Sequence, residues 1–186
     1  KNPRVNGWGS PDTPMALAHT GIEAAKLLTF TLPPRSLALH PAPTKQVALG
    51  WRSPISGTVK IAGKAADADP NGGNGVRWSI AHRHGSATTK LASGHVASGA
   101  AVIFQEADRA GSLEALTVES GDLISLSIDP ADGNHICDTT TIELTITALD
   151  GRKQSWDATK DLVDSIHAGN PHADSHGNRG VWLLYA

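Results

Sequence analysis

The sequence predicts an all-β fold, a jelly-roll β-sandwich of two antiparallel sheets with a short C-terminal helix packed on it. Three observations carry this. Apolar residues recur at every second position in five separate segments, and turn-forming residues punctuate the chain between them. With 19 Gly, 11 Pro and only 18% charged residues among 186, the composition is turn-rich and low in charge, as suits an exported β-protein.

The five segments are Val47, Leu49 and Trp51; Val59 and Ile61; Val76, Trp78 and Ile80; Ile124, Leu126 and Ile128; and Ile142, Leu144 and Ile146. Small or polar residues fill the positions between, so each segment reads as a strand with one buried and one wet face. Shorter apolar runs at 30–32, 37–39, 91–96, 102–104 and 113–118 add strands and bring the total to about nine or ten, the number that two packed jelly-roll sheets need. Ser56-Gly57, residues 70–75, Ser98-Gly99, Ser120-Gly121-Asp122 and Asp132-Gly133 are the breakers.

The length fits one domain over 1–186, divided into an irregular segment 1–28, a sandwich core 29–149, and a helix and extended tail 150–186. Residues 14–28 are Ala-rich enough for a short helix, interrupted at Thr20-Gly21. Residues 155–167 are the better helix, with Trp156, Leu162, Val163 and Ile166 on one face, Asp157 as cap and Gly169 as stop. A net charge of −2 gives no electrostatic case for nucleic acid, and no run reaches the roughly 18 apolar residues of a membrane span. The single cysteine, Cys137, forms no internal disulfide and leaves the compartment open. A start at Lys1 suggests an excised domain or a processed chain.

Asp67-Ala-Asp69-Pro-Asn71-Gly72 matches the first half of a calcium loop, in which alternate oxygens surround a hard cation. The match stops there, because the closing glutamate of an EF-hand would fall on Trp78. The alternative is a bare polar hairpin turn. If every strand reverses the chain, loop 67–74 shares an end with 97–99, 119–122 and Asp150. Asp67, Asp69, Asn71, Asn74, Glu119 and Asp122 then form the candidate set for a structural Ca2+. The opposite end would gather His84, Asp108, Arg109, Asn134, His135 and Asp138 as ligand-binding groups. His172-x-Asp174-x-His176 has zinc-like spacing only if it lies on a strand, and His82-x-His84 reads as a strand end. Among the five Trp, Trp51 and Trp78 are in phase with the core, Trp156 packs its helix, and Trp8 and Trp182 are candidates either for an aromatic sugar platform or for covering a sheet edge.

Catalysis finds little support. Gly-x-Ser-x-Gly, Walker, His-Glu-x-x-His and dinucleotide motifs are absent, and acidic neighbours would raise the pKa of Cys137 rather than activate it. Paired carboxylates of a polysaccharide hydrolase or lyase need a spacing across a cleft that sequence does not show.

Trp51-x-Ser-Pro54, Gly72-Gly-x-Gly-Val76, Gly121-Asp-x-Ile124 and the tail from Asn170 to Asn178, with Val181-Trp182, carry a resemblance. Over about residues 28–186 the chain resembles jelly-roll modules of large exported bacterial proteins, notably planctomycete-type cytochrome-associated proteins. The resemblance implies a galactose-binding-like, carbohydrate-binding-module-like domain beside other domains of a parent protein, with polysaccharide as partner and a secreted, periplasmic or cell-surface location. Any haem would belong elsewhere in such a parent, since Cys137 has no second cysteine. A structural or docking domain with no sugar ligand is the alternative.

Overall fold

The structure is a computed structural model that describes residues 2–10, 12–108, 110–151 and 153–186. The N-terminal strands are β1 (Val5–Gly9), β2 (Met15–His19), β3 (Ala25–Leu27), β4 (Phe30–Leu32) and β5 (Ser36–His40). Next come β6 (Val47–Arg52), β7 (Gly57–Asp67), β8 (Val76–His84), β9 (Ala87–Val96) and β10 (Ala101–Ile103). After α1 (Gly111–Glu114) follow β11 (Leu116–Val118), β12 (Leu123–Pro130), β13 (Thr140–Ala148), β14 (Ser155–Asp157), α2 (Ala158–Leu162) and β15 (Trp182–Tyr185).

The larger sheet has the order β1-β2-β5-β13-β7-β10, with β11 also on β7 and β14 also on β13; the smaller is β15-β6-β12-β8-β9. All pairings are antiparallel. From β5 to β8 the chain changes sheet at each step, β8 and β9 form a hairpin, and the alternation resumes through β13. That winding is a jelly roll. The period-two positions meet between the sheets: Val47, Leu49, Trp51, Val59, Ile61, Ile80, Ile124, Leu126, Ile128, Ile142, Leu144 and Ile146 are buried in one core cluster. Trp51 packs on Trp156 at 5.1 Å between ring centroids, and Trp78 on Phe104 at 4.7 Å.

Three expectations need correction. The described residues up to 28 form three strands, Val5–Gly9, Met15–His19 and Ala25–Leu27, rather than an irregular segment or a helix. The alternation in Met15–His19 finds a partner in β5, where Ala16 and Ala18 are buried against Leu39 and Leu37. The pairing of β1 on β2 then extends the larger sheet, so the sandwich begins before residue 29. The helix expected over 155–167 is shorter. Ser155–Asp157 pairs with β13 as a strand, and α2 covers only Ala158–Leu162. Its apolar face is nonetheless the expected one: Trp156, Leu162, Val163 and Ile166 are buried, and Asp157 caps Thr159 and Lys160.

The third correction decides where the loops go. The runs at 102–104 and 113–118 do not form two strands that reverse the chain. Both β10 and β11 lie antiparallel on β7, at Lys64–Ala66 and Gly57–Val59, so they are two pieces of one strand. Between them the chain leaves the sheet and drives Phe104 into the core over Gly63, where a Cβ would lie 2.0 Å from the Glu143 carbonyl oxygen and 3.1 Å from the Phe104 ring. One reversal fewer moves every later loop to the end opposite the one expected. Loop 68–75 is also no hairpin turn, since β7 and β8 belong to different sheets.

Candidate functional site

At one end of the sandwich, loop 68–75 packs against loop 131–139 and the β3–β4 hairpin. Asn74 Nδ2 donates to the Ala131 carbonyl, Asn71 Nδ2 to the Thr29 carbonyl, and the Thr29 hydroxyl to Asp69 Oδ2 at 2.6 Å. Asp67 spends both oxygens on the backbone, accepting from the N–H groups of Asp69 and Gly99. Gly73 has a left-handed φ of 76°, and a Cβ there would meet the Ile136 carbonyl at 2.5 Å and Asp138 Oδ1 at 3.2 Å, so the two loops touch through backbone.

Asp138 is 1% exposed and Asp69 3% exposed. Asp138 Oδ1, Asp138 Oδ2 and Asp69 Oδ1 are buried and accept no hydrogen bond from the described residues. Burial first, then the charge of Asp67, pushes the Asp138 carboxyl up to about 7. Burial, reinforced by Asp69, Asp138 and Asp67, raises the Cys137 thiol, as its acidic surroundings implied. Asn134 and His135 are half-buried on the same loop, and the His135 ring meets His40 edge-on at 6.0 Å.

Glu119 and Asp122 lie at the other end, so the expected six-residue calcium set is divided between opposite ends. Asp122 is 6% exposed and well supplied with donors. His82 Nε2 donates to it at 2.8 Å, His84 Nδ1 at 2.9 Å and the Glu119 N–H at 2.9 Å. These donors outweigh the desolvation that acts on Asp122 and hold its carboxyl below the usual range, while the bond to Asp122 raises the exposed His84 imidazole. The second expected set divides too: His84 stands here, Asn134, His135 and Asp138 at the acidic end, and Asp108 beside neither. Arg109 lies outside the described residues. Among the described residues, no three His, Cys, Asp or Glu side chains form a ready-made metal cage.

Trp182 is 0% exposed and donates its indole N–H to Asp161 at 2.8 Å, so it is no platform. Trp8 is half-buried on β1 and packs against the main core. The tail is a structural loop: Asp174 takes the Trp156 indole N–H, the backbone N–H groups of His176 and Asn178, and the Asn178 side chain. Asn170 pairs through both side-chain atoms with the backbone of Leu184. His176 stacks edge-on against Trp156 and bonds the Ser155 carbonyl, which removes it from any zinc set with His172.

The groove that sequence reading missed surrounds Gly94 on β9. On one side it measures about 330 Å³ and is lined by Gln46, Arg77, Ser79, Lys90, Ser93 and Asp129. On the other it opens between the sheets, about 380 Å³, with His95, Glu106 and Asp108 among its walls. Trp78 and Gly94 line both. A Cβ at position 94 would come within 2.8 Å of Trp78 Nε1 and 3.1 Å of its Cζ2. The absent side chain therefore lets the β9 backbone lie directly against the edge of the buried Trp78 indole, whose N–H has no acceptor among the described residues. The available signal was a glycine facing an in-phase Trp in the neighbouring strand, with polar residues on both sides.

No family model and no curated protein matches the chain. Among solved structures it is similar to the cysteine protease and lectin-like domains of Cwp84, a surface layer associated protein of Clostridium difficile, at 12% identity and a TM-score of 0.36. The match covers 90% of this chain and 37% of that one. A likeness at that level carries no argument about ligand or activity.

Proposed function

We propose that the chain is a non-catalytic carbohydrate-binding module of an exported protein, and that saccharide lies in the groove around Gly94. The observation that carries this reading is the groove beside Gly94, ringed by Gln46, Arg77, Ser79, Lys90, Ser93 and Asp129, side chains that donate and accept hydrogen bonds. A sugar presents hydroxyls that both give and take such bonds, and a polar rim of this kind suits them. The groove of similar size on the larger sheet near Pro33 and Thr141 has its Lys64 and Glu143 paired with each other at 3.0 Å. In the Gly94 groove Arg77 is paired outward with Asp132, while Lys90 and Asp129 remain to meet a ligand. The lining histidine, His95, donates to the Asn74 carbonyl rather than activating a hydroxyl, which supports binding over turnover.

The test is a glycan array followed by calorimetry on each hit, with Gly94→Val, Lys90→Ala and Asp129→Ala beside the parent chain. Gly94→Val should lose at least about tenfold in affinity, worth about 1.4 kcal/mol, with weaker losses for the other two. Silence across plant, algal and bacterial glycans would leave a structural domain as the better description. Turnover of any bound glycan would replace the module with an enzyme.

A further inference from the structure

The acidic end holds an imbalance that the saccharide reading does not touch. Three buried carboxylate oxygens, two on Asp138 and one on Asp69, have no donor. Leaving a charged group buried and unpaired costs several kcal/mol, so such groups in native folds meet a counter-charge or a proton. Among the described residues no cationic side chain donates to either carboxylate. The charge that acts on Asp138 is that of Asp67, which is also negative. Cys137, whose thiol faces Asp69, is kept neutral by the same surroundings.

The backbone around the pair is held as a cradle. Asp67 fixes the loop from both sides through the N–H groups of Asp69 and Gly99. Thr29 anchors the second oxygen of Asp69, leaving Oδ1 free. Gly73 lets the loop carrying Asp138 close to backbone contact. The free atoms are all hard carboxylate oxygens, which select Ca2+ or Mg2+ over softer metals. Donors drawn from two separate loops, with exposed Asn71 and Asn74 at the rim, suit the larger and geometrically tolerant ion.

We infer that Asp69 and Asp138 bind one calcium ion that clamps loop 68–75 to loop 131–139, with Asp67 acting as the residue that positions Asp69. Asp138 is thereby moved from the sugar-binding set expected of it to the cation site. Glu119 and Asp122, at the far end, take no part. The inference stands whether or not the groove at Gly94 binds sugar.

The experiment strips the protein with a chelator and measures its melting temperature and heat of binding in CaCl2 and MgCl2, for the parent chain, Asp138→Asn, Asp69→Asn and Asp122→Asn. At millimolar Ca2+ the parent should gain about 5 °C, with a smaller gain in Mg2+. Asp138→Asn and Asp69→Asn should each abolish the gain, and Asp122→Asn should keep it. Circular dichroism of the stripped variants shows that each remains folded. No gain in the parent with either ion up to 10 mM would overturn the site, as would an undiminished gain in Asp138→Asn. In either case protonation of Asp138 alone would answer for its burial.

Discussion

Asp122 and Asp138 are buried to nearly the same degree at opposite ends of one sandwich, and they are solved in opposite ways. Asp122 receives two imidazole N–H groups and a backbone N–H. Asp138 receives none on either oxygen. Burial acts on both carboxyls in the same direction, yet only Asp138 is pushed up, because only Asp122 has donors to offset the lost water. An aspartate that is fully bonded inside the fold serves the fold. One held without partners points to something outside the chain.

The two residues should therefore respond to neutralisation with opposite signs. The largest effect is expected at Asp138. Without calcium at pH 8, Asp138→Asn should stabilise the protein against urea by up to about 4 kcal/mol, the free energy of holding a carboxyl at about 7 instead of its ordinary value. A destabilised Asp138→Asn would mean that unseen donors satisfy the carboxylate. Asp122→Ala should cost about 2 kcal/mol in the same titration, because it orphans the Glu119 N–H and His82 together.

Next in size is the pH profile of the histidine end. The lowered pKa of Asp122 adds stability above the ordinary carboxylate range, which is lost as pH falls through the depressed value. The raised pKa of His84 adds stability that is complete below its ordinary value of 6.5 and is lost as pH rises through the elevated one. The stability that Asp122 adds should therefore be greatest between about pH 4 and 6.5, and subtracting the Asp122→Ala profile from the parent's isolates it. The smallest effect separates the two histidines. His82→Ala should lower the melting temperature more than His84→Ala, since the His82 side chain is 13% exposed and that of His84 57%. Equal shifts would show that exposure does not grade the pair.

Periodicity made the strands legible because a sheet with one wet face writes its geometry into every second residue. Trp51, Leu126 and Leu144 are buried where alternation put them. The N-terminal hairpin was hidden because Ala16 and Ala18 are small enough to read as helix, and only β5 across the sheet makes strands of them. The site was legible in part. Asp67, Asp69, Asn71 and Asn74 do gather on one loop. Asp138, which lies at the same end, was expected at the other because alternation marks strands without recording whether two neighbouring runs share a direction. Gly94 went unread for a simpler reason: a missing side chain leaves no periodic mark.

The interrupted strand formed by β10 and β11 has a practical side. Because both pieces follow the same line along β7, the detour between them starts and finishes on one sheet margin, midway along its length. Extra residues spliced at exposed Gly111 within that detour, where a Cβ would meet nothing within 4 Å, would leave the winding and the loops at either pole in place. The fold thus carries a graft position for tags or foreign peptides, separated by half a sheet from both aspartates.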